Sequence, residues 1–406
     1  MKILIINAGS SSYKLALYDV NTSVLAEPQK PLWQGCYQYS AHEGNGHVTA
    51  WQRGQKILDQ AVSDTEHADT LSMLLNSIAL DNGPGTHSLA AIDIVGHRVV
   101  HGGSVFQQPT VITTKVKTSL QALIPLAPLH LPANLKGMAL AETLLPKALQ
   151  VAIFDTAFHA TLSEVASTYA GPYAWRKQGI QRYGFHGISY QYCAARCAAV
   201  LDRELTHMKI ICCHLGNGAS MAAIDQGKSV DTTMGFTPND GLMMGSRCGS
   251  LDSGILLFLE QHDHQTAEEL MHTLNFDAGL KGISGASNDM REIVRLCNQG
   301  NERAKLAYDM YIHSMKRNLG AMLGVLGGMD ALVFTGGIGE NLPALRMEVC
   351  QAFRASGVKL DAAKNVQCQP DALISETSSN VAVLVIATQE DWCMACTLSS
   401  MASQKI

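Results

Sequence analysis

Four short segments join small residues to polar ones directly after apolar runs: NAGSSSYK (7–14), GHRVVHGG (96–103), CHLGNGAS (213–220) and FTGGIGEN (334–341). Small residues at strand ends let backbone N–H groups approach an anion closely. Tight hairpin geometry accounts for any one of these turns but poorly for four, so the set points to a cleft that holds a polyphosphate. Around the turns stand polar side chains that an apolar core would reject: Arg98, His101, His130, Asp155, His159, His186, Arg247, Asp289, Arg291 and Glu390. Arg98 lies in the apolar stretch IDIVGHRVV. An unpaired guanidinium is costly there, so it must meet an acid or an anionic ligand. Asp155 follows the strand-like VAIF, and carboxyl ends of strands aim side chains at ligands. Each histidine taken alone reads as a satisfied structural residue.

Familiar nucleotide-binding patterns are missing. The one GKS (227–229) has Ala222 where the first glycine of a P-loop belongs, and neither HRD, DFG nor GxGxxG occurs. A hairpin-phosphate arrangement remains. Residues 3–6 (ILII) and 13–18 (YKLALY) predict a β-hairpin with NAGSSS at its tip. Residues 210–225 repeat the pattern, with Asn7 opposite His214 and Gly9 opposite Gly216, 207 residues apart. Residues 91–98 and 330–337 are both buried-strand runs that end in a glycine turn. Two related αβ halves follow. Residues 303–326 carry apolar positions at helical spacing, and Gly320 and Gly324 there suggest close helix packing. The stretch 28–47, with its Pro, Gly and aromatic residues, reads as a surface loop.

Composition narrows the rest. The chain has 406 residues, 47 % apolar and 16 % charged, which excludes global disorder. A net charge of −5 argues against a nucleic-acid partner. No apolar run reaches the length of a membrane span. The start, MKILIINAGS, is too short for a signal-peptide core, so a cytoplasmic protein is expected. Eleven scattered Cys residues read as reduced, mostly buried thiols, and the lone CxxC, Cys393 to Cys396, lacks a second pair for zinc.

The four turns, with APLH (127–130), FDTAFH (154–159), YGFHG (183–187), MGFTP (234–238), GLMMGSR (241–247) and ATQED (387–391), together resemble the acetate kinase family. They occur in the family order and run from residue 3 to about residue 395. The resemblance implies an α/β fold of two duplicated βββαβαβα lobes, of the actin-like ATPase type, around a nucleotide cleft. The lobes would be 1–153 plus 392–406, and 154–391. It implies reversible, ATP-dependent phosphorylation of a short-chain carboxylate, acetate preferred, by direct in-line transfer. Because a carboxylate is already a nucleophile, alignment and charge neutralisation suffice.

By the same resemblance Arg98 and Arg247 would hold the carboxylate and the transferring phosphoryl, His186 its equatorial oxygens, and His130 would support them. Asn7, Asp155 and Glu390 would serve Mg²⁺. Asn7, Ser10, Ser12 and Lys14 would form the first phosphate hairpin, and His214, Leu215, Gly216, Asn217 and Gly218 the second. Asp289, Met290, Arg291, Gly336, Gly337, Ile338, Gly339 and Asn341 would line the adenosine pocket for ATP or ADP. Val100, Leu129, Phe185 and Pro238 match the apolar acyl pocket. Val100, two residues beyond Arg98, would share its side of a strand and close the pocket toward acetate. Family members are homodimers, so a homodimer is expected.

Five positions depart from the family pattern: Ser104 for Glu, Leu131 for Asn, Tyr190 for the second His of FHGTSH, Ser250 for Asp and Ser253 for Pro. They motivate a rival reading as a degenerate nucleotide-binding protein that regulates or scaffolds. Retention of both arginines, His186, Asp155 and Glu390 speaks against it. A propionate kinase is a further alternative. A sugar kinase would use an Asp base, whereas two arginines favour an anionic acceptor.

Overall fold

The computed structural model describes residues 1–9, 12–20, 25, 27–40, 45–63, 67–78 and 89–403. Ser10 therefore lies outside the described residues. The chain divides into two compact units, Met1–Ala157 with Gln389–Ile406, and Phe158–Thr388. Asp155 and Glu390 accordingly both fall in the first unit.

The first unit is built on a sheet of β1 (Lys2–Ala8), β2 (Ser12–Asp19), β3 (Trp33–Ser40), β4 (Asn45–Gln52), β5 (Gln55–Ser63), β6 (Ile94–Val99), β7 (Thr110–Val111) and β8 (Leu149–Phe154). Its order is β5-β4-β3-β2-β1-β6-β8-β7. β1 and β2 form the expected hairpin, with Asn7 opposite Lys14, and the Gly9 N–H donates to Ser12 O at 2.8 Å. β1, β6 and β8 run parallel. On one face Leu4, Ile6 and Val95 pack with Leu71 and Leu74 of the helix His67–Ile78 and Ala141 of the helix Leu131–Leu144. The other face is covered by the helix Glu390–Ser403, whose Leu398 sits over Gly96 beside Ile5.

The second unit repeats this plan. Its sheet consists of β9 (Lys209–Leu215), β10 (Ala219–Asp225), β11 (Lys228–Thr232), β12 (Ala331–Thr335), β13 (Ala372–Leu373) and β14 (Ala382–Val385), in the order β11-β10-β9-β12-β14-β13. β9 and β10 are the second hairpin, and β9, β12 and β14 are parallel. The helix Glu302–Leu326 and the helix Gly187–Val200 pack on this sheet. In sequence, the helix Gly187–Val200 follows the strands of the first sheet, and Glu390–Ser403 follows those of the second. The closing helix of each repeat is thus housed in the other unit.

Three local expectations are corrected. Residues 33–40 and 45–52 are strands rather than a surface loop, with Trp33, Tyr37 and Val48 buried in the core. Gly35 and Gly46 break the hydrophobic alternation in the sequence, yet each lies under an aromatic ring, Trp33 and Tyr37 respectively. Gly320 and Gly324 do not serve close packing: a Cβ at Gly320 would only just reach Phe353, at 4.0 Å, and one at Gly324 would meet nothing. β6 ends at Val99, so Val100 lies beyond the strand, with its N–H donating to Asn134 Oδ1 at 3.2 Å. Cys393 and Cys396 are buried and form no disulfide, and no helix among the described residues is long and apolar enough to cross a membrane.

Candidate active site

In the first unit the parallel strands bring three of the singled-out side chains to the carboxyl end of the sheet. Asn7 lies near the end of β1 and Arg98 near the end of β6, while Asp155 directly follows β8. Arg98 Nη2 donates to Asp155 Oδ2 at 2.6 Å, and Nη1 reaches Asn7 Oδ1 at 3.4 Å. Strand alternation puts Arg98 on the face of Gly96, under the helix that begins with Glu390. Burial works against charge on Arg98, but the carboxylates of Asp155 and Glu390 outweigh it and hold the guanidinium above its ordinary value. Burial raises the Glu390 carboxyl, with Arg98 opposing and Asp155 adding to the rise. Asp391 is pushed up to about 6 by burial and by Glu390. Asp155 Oδ1 is buried and has no hydrogen-bond partner among the described residues, so it could accept from a ligand or hold a cation.

The second unit assembles a different set. His186 precedes the helix Gly187–Val200 in a left-handed conformation, φ 57° and ψ 24°. That backbone is strained for any residue but glycine. His186 Nδ1 lies 2.8 Å from Ser220 Oγ on β10. Its ring stacks on His214 of β9, with centroids 4.2 Å apart, and His214 Nδ1 is 2.8 Å from Ser189 Oγ. The hairpin turn closes with the Gly216 N–H donating to Gly218 O at 3.0 Å. A Cβ placed on Gly218 would stand 3.5 Å from both His186 Nε2 and Arg247 Nη1. Arg247 donates to Pro238 O at 3.1 Å and has no carboxylate within ion-pair distance among the described residues. Burial alone lowers its guanidinium. A guanidinium nitrogen and an imidazole nitrogen therefore converge beside a glycine turn, and among the described residues no acid pairs with the guanidinium.

A cavity of about 930 Å³ opens next to this turn, lined by Gly216 and Asn217, by Asp289 to Arg291, and by Gly337, Ile338 and Asn341. This volume suits a nucleoside. Gly336 takes φ +78°, and a Cβ there would stand 2.8 Å from Leu215 O, so only glycine lets β12 turn this tightly against β9. Asp289 caps the helix Met290–Asn298 and binds the Arg291 guanidinium at 2.6 Å, which holds its carboxyl below the ordinary range. Asn288, Val294 and Leu342 also line the cavity and were not singled out. Val294 stands one helical turn after Met290, a spacing that would have found it.

The other expected residues are distributed as follows. Ser12 is half-buried and Lys14 exposed on β2. His130 opens the helix Leu131–Leu144, its carbonyl accepting from the Asn134 N–H at 3.1 Å. Val100 and Leu129 belong to the first unit, Phe185 and Pro238 to the second. Phe185 is fully buried, whereas Leu129 is exposed. Val100 packs in part against the core cluster of Val99, Phe106 and Phe154. His159 is structural, holding Ser229 Oγ and the Phe185 carbonyl at 2.7 and 2.9 Å. Among the departures, Ser104 is exposed and Leu131 is a core residue. Ser250 Oγ donates to Asp240 Oδ1 at 2.7 Å, and Ser253 simply opens a helix capped by Asp252.

Two positioning residues escaped the sequence. Asn134 is buried, its Nδ2 donating to Ala8 O at 2.7 Å while Oδ1 accepts from Val100. It staples the diverging ends of β1 and β6 beside Asn7 and Arg98. Arg346 is buried, forms no ion pair with an acid among the described residues, and donates to Gly339 O and Glu340 O at 2.8 and 2.9 Å, fixing the segment Gly336–Asn341. The reasoning that marked Arg98, a guanidinium in an apolar context, applies equally to Arg346.

Duplicated α/β units, each with a small-residue hairpin beside the end of a parallel strand, define the actin-like ATPase class. Within it, the chain belongs to the acetokinase family, whose model matches residues 2–396. It is 50 % identical over 395 residues to an acetate kinase of Acaryochloris marina, covering 97 % of this chain and 98 % of that one. An acetate kinase of Trichormus variabilis is 46 % identical over 396 residues, with the same coverage, 97 % and 98 %. Among solved structures, the Porphyromonas gingivalis acetate kinase superposes with a TM-score of 0.88 at 39 % identity, covering 99 % of both chains. A propionate kinase from Francisella tularensis gives 0.89 at 34 % identity, covering 98 % of both.

Proposed function

We propose that this chain transfers the γ-phosphoryl group of ATP reversibly to acetate, giving acetyl phosphate and ADP. A carboxylate oxygen forms the new bond to phosphorus while the bond to the β–γ bridging oxygen breaks, and no proton need be removed. The single observation that carries the reading is Arg247. Its guanidinium is unpaired by any acid among the described residues and converges with His186 Nε2 on the turn at Gly218. Such a pair suits a group whose equatorial oxygens gain charge in transfer. Arg98, oriented by Asp155, would hold the acetate carboxylate, with His130 in support. The second hairpin, His214 to Gly218, would cradle the phosphates, and the cavity beside it the adenosine. Val100, Leu129, Phe185 and Pro238 would surround the acyl methyl.

Mg²⁺ would be served by Asp155, whose buried Oδ1 lacks a partner, by Glu390 and by Asn7. When bound it would neutralise phosphate charge. We take the protein to be a cytoplasmic homodimer.

The test is acyl phosphate captured as hydroxamate, with acetate, propionate and butyrate and Mg-ATP. Acetate should react best, because one methylene in an apolar pocket discriminates by about 10–200-fold. Arg247→Ala should lower kcat by roughly 10³-fold or more, and Arg247→Lys should rescue poorly for lack of the planar fork. A variant keeping more than about a tenth of the rate, against the loss expected of such an arginine, overturns the assignment. Propionate favoured outright overturns the acyl preference.

A further inference from the structure

The residue that departs most plainly from the family pattern inside the second unit is Tyr190, four positions after His186. Its side chain is fully buried. Tyr190 Oη lies 2.5 Å from Ser220 Oγ, and the same oxygen lies 2.8 Å from His186 Nδ1. Ser220 is itself fully buried on β10. A chain of three polar groups, phenol to serine to imidazole, is therefore sealed from solvent at its tyrosine end.

We infer that Tyr190 is a positioning residue whose hydroxyl, acting through Ser220, fixes His186 in the neutral tautomer that carries its proton on Nε2. Buried hydroxyls need acceptors for their protons. Among the described residues Ser220 Oγ is the acceptor within reach of the Tyr190 hydroxyl. If Tyr190 donates to Ser220, then Ser220 donates to His186 Nδ1, and every proton in the chain is used. In the reverse order Nδ1–H donates to Ser220 and Ser220 to Tyr190, which strands the phenolic proton in the core. Burial pushes the Tyr190 phenol well above its ordinary value, so it keeps the proton it must donate. With Nδ1 engaged as an acceptor, Nε2 bears the N–H, and Nε2 is the atom that faces the Gly218 turn beside Arg247. A histidine at position 190 could donate or accept and would impose no direction. Tyrosine does.

The inference takes from the proposed function only that His186 serves the phosphoryl group, and the tautomer is read without turnover. In ¹⁵N-histidine-labelled protein, with the His186 signals assigned by their loss in His186→Gln, the native spectrum at pH 8 should show Nε2 protonated and Nδ1 as an unprotonated acceptor. A protonated Nδ1 overturns the inference. In Tyr190→Phe the Nε2–H to Nδ1–H ratio should fall by about fivefold, the effect of one lost neutral hydrogen bond. An unmoved ratio assigns tautomer control to Ser220 alone and overturns the role of Tyr190. Should that variant not fold, Ser220→Ala must show the same fall, because it breaks the chain at its centre, and an unmoved ratio there overturns the inference as well. Loss of activity in His186→Gln bears on the proposed function and leaves the tautomer result untouched.

Discussion

Replacing Asn134 by Ala tests how the two strand ends of the first unit are held at their working separation. The native amide satisfies two backbone groups at once, Ala8 O at 2.7 Å and the Val100 N–H at 3.2 Å. β1 and β6 pair as far as Ile6 and His97, and beyond that point the strands diverge and their backbone groups need another partner. Stranding a buried donor or acceptor costs about 1–3 kcal/mol each, so Asn134→Ala, which strands two, should lose roughly 2–6 kcal/mol. Urea titration reads that loss directly. Because Asn7 adjoins Ala8 and Arg98 lies two residues before Val100, kcat for acyl phosphate formation should fall more than the KM for ATP rises. Asn134→Asp should do no better, since its second oxygen faces the Ala8 carbonyl instead of donating to it. A stability change below about 0.5 kcal/mol, typical of a surface substitution, together with native kcat, would refute the staple.

Gly218→Ala should leave the melting temperature unchanged, since its Cβ makes only ordinary contacts at 3.5 Å with His186 Nε2 and Arg247 Nη1. The same methyl fills the space between the two donors, so kcat/KM for ATP should collapse; native activity in this variant would mean that no phosphate passes there. Asp155→Asn and Glu390→Gln should each shift the Mg²⁺ dependence of turnover to higher concentration, and superimposable titrations in both variants would make these acids structural. His97 is 2 % exposed, its Nε2 bonded to Gln150 Oε1, and burial holds its imidazole down to about 4. The unfolded chain binds a proton at higher pH than the folded one, so this residue's support is full above about pH 6.5 and is lost as pH falls toward 4, by roughly 3 kcal/mol. His97→Gln should flatten the stability–pH curve in that window, and an unchanged slope would exclude His97 as its source.

The hairpins were legible because their tips need small residues and their flanks alternate, and the 207-residue offset between Asn7 and His214 exposed the duplication. Arg98 was legible because an isolated charge in an apolar run demands a partner, and Asp155 supplies it at 2.6 Å. Asn134 left no trace, because its partner Ala8 is 126 positions away and one Asn in a helix is unremarkable in sequence. The strand Trp33–Ser40 was hidden for the opposite reason. Its inward positions include Gly35, which carries no hydrophobic signal yet is needed beneath the Trp33 ring. Counting from Arg98 puts Val100 on a strand, whereas β6 stops one residue earlier, where Asn134 takes over its pairing.

The exchange of closing helices sets an order on biosynthesis. The second unit, Phe158–Thr388, is one continuous stretch of chain, and its covering helix Gly187–Val200 precedes its strands. All of its residues are synthesised before Gln389–Ile406. The first unit is begun earlier but waits for Glu390–Ser403, the last described helix, to cover the face carrying Ile5 and Gly96. Domains commonly mature from the N-terminus during synthesis; here the half that is translated first is finished last. Arg98 and Asp155 cannot have Glu390 beside them until the whole second unit has been synthesised, so a nascent chain that stops short of Glu390 lacks part of the first-unit constellation.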